Sequence, residues 1–234
     1  MDDTAIREAL AAAAAPFAAP PVLEVAPPAP PVPEVATPAP SAETPAAPTS
    51  FDLVYAPLFR ALAPGADPDI YPLALEFVFE GYLTHYRVGR LLGSDTPLTT
   101  RLLAGDRFDA SGLRLVARAG DLDAVRLLTR LMASCSWLRA EQQPFVYDDD
   151  LWALCVAGIA SSASGGNAFA ALRLFDDGGR LFERGRVERL PEVVRRGAAT
   201  LWLRQAAPLR AALGLADDGA PLDAVARPDA EVAL

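Results

Sequence analysis

The sequence predicts an all-α fold, an antiparallel helical bundle, and three observations carry the prediction. Apolar residues recur at helical spacing through most of the chain after residue 50. No stretch shows the apolar–polar alternation of a half-buried strand. The connections are short and rich in Asp, Gly and Pro, residues that end one helix and cap the next.

The elements follow in chain order. Residues 1–50 hold 12 of the 22 prolines and read as a disordered Ala/Pro-rich tail, because such a run buries too little side chain to offset backbone entropy. Within it, residues 2–15 form at most a short alanine-rich helix that frays, with no apolar stripe expected. The bundle domain spans 51–214. Ser50 is the expected N-cap of a helix over 51–62, with Phe51, Val54, Leu58 and Leu62 on one face and a kink at Pro57.

Asp67-Pro68 opens a long helix to about Leu92, apolar around nearly its whole circumference and therefore central. A third helix runs from Pro97 to about Ala119. A fourth is capped by Asp121 and carries the stripe Leu122, Val125, Leu128, Met132, Cys135 and Leu138. After a loop at 142–147 closed by Asp148-Asp149-Asp150, a helix covers 151–162. Asn167 opens the next, over 168–182, and Pro191 the last, to about Leu213. Residues 215–234 read as an acidic flexible tail.

Charge narrows the function. The net charge of −9 lies at the two ends, and residues 51–214 are balanced, so no electrostatic surface for nucleic acid or an anionic membrane is expected. All 21 basic residues are arginine, which removes Schiff-base and lysine-clamp chemistry. Cys135 and Cys155 read as small buried hydrophobes in a reducing compartment. No apolar run is long enough for a membrane span, and the acidic start does not read as a signal peptide, so a cytoplasmic protein is expected.

Glu76, Glu80 and His85, the single histidine, share the central helix, but the Glu-x-x-His spacing of a di-metal bundle site is absent. No metal or other cofactor is expected. The two glutamates read instead as buried groups satisfied by a neighbour such as Arg101. Arg87, Arg90 and Arg101 present guanidinium forks suited to a diphosphate, or pair with Glu76, Glu80, Asp95 or Asp106.

Two segments carry a family resemblance. Ala74-Leu75-Glu76, Leu83 and His85, followed by Leu103-Ala104-Gly105-Asp106, are similar to the opening helices of the all-α polyprenyl diphosphate synthases. Where that family places aspartates after the histidine, this chain has Tyr86, Arg87 and Arg90. Asp148-Asp149-Asp150 and Asp176-Asp177 do not match the spacing of its second motif.

The resemblance therefore implies a shortened isoprenoid-synthase bundle without the Mg²⁺-binding aspartates. It resembles the non-catalytic small subunit of a heterodimeric synthase, with a catalytic subunit or a second copy as partner and prenyl diphosphate as ligand. Phe77, Phe79, Tyr82 and Tyr86 are then the residues expected at a cavity or dimer face, with core packing as the other reading. The alternative function is a helical scaffold or adaptor unrelated to isoprenoids.

Overall fold

The computed structural model describes residues 1–18, 50–166, 168, 171–173, 175–176, 179–180, 186–189 and 192. Among these the chain is helical and without strands: α1 (Asp3–Ala18), α2 (Tyr55–Leu62), α3 (Ile70–Tyr86), α4 (Leu98–Arg118), α5 (Leu122–Ala140) and α6 (Val146–Ala163), then a 3₁₀ turn at Val187–Arg189. The predicted all-α bundle is the fold. None of the described helices is long and apolar enough to cross a membrane. The helix expected after Pro191 and the acidic tail at 215–234 lie outside the described residues, apart from Glu192.

α3 is the axis of the molecule. Every residue from Pro72 to Thr84 is buried, as an apolar circumference requires. One side, with Leu73 and Phe77, packs with Phe108 of α4 and with α1. The other side, with Leu75, Val78, Phe79 and Tyr82, packs with α2, α5 and α6 in the larger core. Its most extensive neighbour is α4.

The amino-terminal expectation needs correction. Residues 3–18 do not belong to an unpacked tail. Ile6, Leu10 and Ala14, four residues apart, are fully buried against Leu73, Phe77, Leu91 and Phe108. Ala9, Ala11, Ala13 and Phe17 pack beside them part-buried, and alanine hides the stripe in a hydropathy reading. Burying Ile6 and Leu10 contributes roughly 1.5–3 kcal/mol each, and Arg7 Nε adds a 2.7 Å bond to the Phe51 carbonyl.

Several boundaries also shift. α2 starts at Tyr55 rather than Phe51, and Ser50 does not cap it. Pro57 therefore falls in the first turn, where a missing N–H breaks no helical bond, and no kink arises. α3 ends at Tyr86, six residues early, and the loop to α4 returns Leu91 and Leu92 to the core. α6 begins at Val146, so Asp148 and Asp149 lie in its first turn.

The Asp121 cap is as expected, its Oδ1 accepting from the Ala124 amide at 2.9 Å. α3 starts at Ile70 rather than Pro68, with Asp69 at its cap position, and Asp67 Oδ1 accepts from the amides of Asp69 and Ile70 just ahead of it. In α5 the buried set includes Leu127, Leu128, Leu131, Cys135 and Leu138, whereas Leu122 is exposed. Cys135 and Cys155 are free thiols buried in the core.

Candidate functional site

The buried acids on α3 form a structural knot. Glu76 and Glu80 have no solvent exposure. Glu76 Oε1 accepts from the amides of Val54, Tyr55 and Ala56 at 2.7–2.9 Å, a cap for α2 supplied by another helix. Glu80 Oε1 accepts from the amides of Arg90 and Leu91. Arg90 completes the knot, with Nη1 2.8 Å from Glu76 Oε2 and Nε 2.7 Å from Glu80 Oε2. The expected partner Arg101 is not involved. Arg90 is held there because the loop after α3 folds back over the helix.

The three arginines do not assemble into one fork. Arg90 is taken by Glu76 and Glu80. Arg87 donates through Nε to the Tyr82 hydroxyl at 3.2 Å and pairs through Nη2 with Asp149. Arg101 lines a different cavity with Thr84 and Gly89. Of the aspartate runs, Asp148 is buried, accepts from the Tyr82 hydroxyl at 2.8 Å and pairs with Arg139 at 3.1 Å. The guanidiniums of Arg87 and Arg139 lie over the Phe145 ring at 4.4 and 3.9 Å. Asp176 pairs with Arg130, and Asp177 lies outside the described residues.

The four aromatic residues divide. Phe79 sits edge-on to Tyr55 and Trp152 in the core, and Phe77 faces Phe108. Tyr82 and Tyr86 line a cavity of about 240 Å³ between α3, α4, α5 and α6. His85, Asp106 and Asp109 reach it from α3 and α4, Leu131, Met132, Cys135 and Ser136 from α5, and Trp152 from α6. One edge is pinned by a 2.8 Å bond between the hydroxyls of Tyr86 and Ser136.

Glycine makes this convergence possible. A Cβ on Gly105 would stand 2.5 Å from His85 Nε2, and one on Gly81 would stand 2.2 Å from Asp109 Oδ1. Without side chains there, α3 and α4 approach closely enough for His85 to rest on α4. His85 Nε2 is then 3.4 Å from Asp106 Oδ1 and 3.8 Å from Asp109 Oδ2. The motif matches His85, Gly105 and Asp106 thus meet in space, while Glu76 lies elsewhere, in the α2 cap.

The electrostatics of the cavity are unusual for its size. Burial, and then the charge of Asp106, push the Asp109 carboxyl from 3.8 up to about 7. Its Oδ1 is buried with no hydrogen-bond partner. Burial lowers the His85 imidazole below its ordinary 6.5, with Asp106 opposing. Burial, and then the nearby charge of Asp148, push the Cys135 thiol well up, so it is no thiolate nucleophile. The Ser136 hydroxyl is bonded to Tyr86 and to the Met132 carbonyl.

Asp109 is the residue that reading the sequence missed. Its signal was present: Asp106 and Asp109 are three apart on one helix and share a face. Comparison of the chain with protein-family models, with curated proteins and with solved structures finds no match.

Proposed function

We propose that this chain is a non-catalytic binding module, and that the cavity between α3, α4, α5 and α6 takes a small organic cation. One observation carries the reading: the carboxyl groups of Asp106 and Asp109 and the His85 imidazole converge on a cavity walled by Tyr82, Tyr86 and Trp152. Aromatic faces and a carboxylate together suit an ammonium group with an apolar body. The volume, about 240 Å³, is below the ~300–1,000 Å³ of drug-sized sites, so the ligand is small. An ammonium beside Asp109 supplies the countercharge that this carboxylate lacks. Neither Ser136 nor Cys135 is set up for attack, which favours binding over catalysis.

A second reading, a non-catalytic partner in isoprenoid diphosphate biosynthesis, draws support from the meeting of His85 with Gly105 and Asp106. Against it, Asp106 and Asp109 oppose an anionic ligand in this cavity.

Calorimetric titration at pH 8 with phenethylamine, and separately with an allylic diphosphate plus Mg²⁺, distinguishes the two. The cation reading expects saturable amine binding that weakens at least tenfold in Asp109→Asn and less in Asp106→Asn, with no diphosphate binding. Diphosphate binding, or altered product length from a co-eluting polyprenyl synthase, supports the second reading instead. Silence from both ligands removes both and leaves the helical scaffold.

A further inference from the structure

On the other side of α3 lies a smaller cavity of about 60 Å³, between the end of that helix, the loop after it and the first turn of α4. We infer that it is a binding site for one tetrahedral oxyanion, such as phosphate, sulfate or a single phosphoryl group. The inference is independent of the cation site.

Two donors from different elements line this space without partners. Thr84 is 1 % exposed, and its Oγ1 is buried with no hydrogen bond. A helical threonine can bond back to a carbonyl of the preceding turn; Thr84, in the last turn of α3, does not. Arg101 Nε is likewise buried and unpartnered, and no carboxylate among the described residues pairs with its guanidinium. Arg101 is part-exposed, but a buried N–H without an acceptor is costly, and an oxyanion is the acceptor whose geometry a guanidinium matches.

The surroundings are built for close approach. Gly89 borders the cavity, and a Cβ there would stand 2.9 Å from Thr84 Oγ1 and 3.1 Å from Glu80 Oε1. Gly93 and Ser94 complete the loop wall, and no acceptor among the described residues takes their amides. Arg101 is in the first turn of α4, whose N-terminal end carries the positive pole of the helix. Two acids are near. Glu80 is neutralised by Arg90 and holds two amides besides. Asp95 is exposed beside Gly93.

The test uses the full chain and ³¹P line broadening with inorganic phosphate, then with phenyl phosphate, in chloride buffer at fixed ionic strength. Saturable broadening is expected, competed by sulfate and not by chloride. Arg101→Gln should weaken it at least tenfold, and Thr84→Val, nearly the same shape, several-fold. Gly89→Ala, which fills the space, should abolish it. Phenyl phosphate binding as well as phosphate assigns the site to phosphoryl groups on larger molecules; phosphate alone assigns it to the free ion. Broadening that chloride reproduces, or that survives both Arg101→Gln and Thr84→Val in folded protein, overturns the inference. Loss of folding in Arg101→Gln leaves Thr84→Val to decide.

Discussion

Arg90 and Glu76, 14 residues apart in the chain, form a 2.8 Å ion pair that ties the loop after α3 to the start of α2. Glu76 contributes both oxygens, one to Arg90 and one to three amides of α2. Breaking a buried pair leaves an uncompensated charge, a cost of roughly 3–5 kcal/mol. Arg90→Leu should therefore lower the urea midpoint by a corresponding amount, and Arg90→Leu with Glu80→Gln should recover part of it. A loss under about 1 kcal/mol would mean that the knot is not a stabilising element.

Asp109 makes stability fall as pH rises. The unfolded carboxyl ionises near 3.8 and the folded one near 7, so the folded chain holds the extra proton between those values. The favourable contribution is complete below 3.8 and is lost by pH 7, at about 1.4 kcal/mol for each pH unit of that interval. Asp109→Asn keeps the shape of the protonated acid. It should be roughly 2–4 kcal/mol more stable than wild type at pH 8 and nearly equal at pH 4, in chemical denaturation. Equal stability at both pH values would refute the shifted carboxyl.

The fold was legible where periodicity was strong and hidden where it was sparse. The apolar circumference of residues 73–83 announced a central helix, and Asp121 announced its cap, whereas α3 starts two residues past the expected Pro68, behind Asp69. α1 was missed because only two large residues, Ile6 and Leu10, are fully buried in it, and most of the other apolar positions packed on the core are alanine. The cap of α2 was invisible because its acceptor, Glu76, lies 20–22 residues downstream. The two cavities are non-local for the same reason. His85 and Asp109 are joined only by the close crossing that Gly81 and Gly105 allow, which no local pattern encodes.

Leu10 tests whether α1 belongs to the folded unit. Leu10→Ala should destabilise the protein by about 2–4 kcal/mol, in the range for core truncations. It should also remove hydrogen-exchange protection from α1 before that of α3. Unchanged stability would show that α1 is dispensable.

Gly105→Ala should close the cavity without touching its carboxylates. The added Cβ would meet the imidazole at 2.5–2.7 Å, so His85 must leave its place or the helices must part. A cost of about 1–3 kcal/mol is expected, with a change in the chemical shifts of the His85 ring signals. An unmoved His85 in NMR would contradict the packing described.

The central claim is that Asp109 serves as the counterion of a bound cation, and its direct test is phenethylamine affinity at pH 6 and pH 8. An alkylammonium stays charged across this range. The ionised fraction of Asp109 rises as pH passes about 7, and His85, Asp106, Tyr82, Tyr86 and Cys135 are the other titratable groups at the cavity. Protonation of His85, whose imidazole burial holds below its ordinary value, acts in the same direction at low pH. Affinity should therefore be about tenfold higher at pH 8 than at pH 6, and the difference should collapse to a small residue in Asp109→Asn. Affinity that is flat with pH, or stronger at pH 6, would contradict the account.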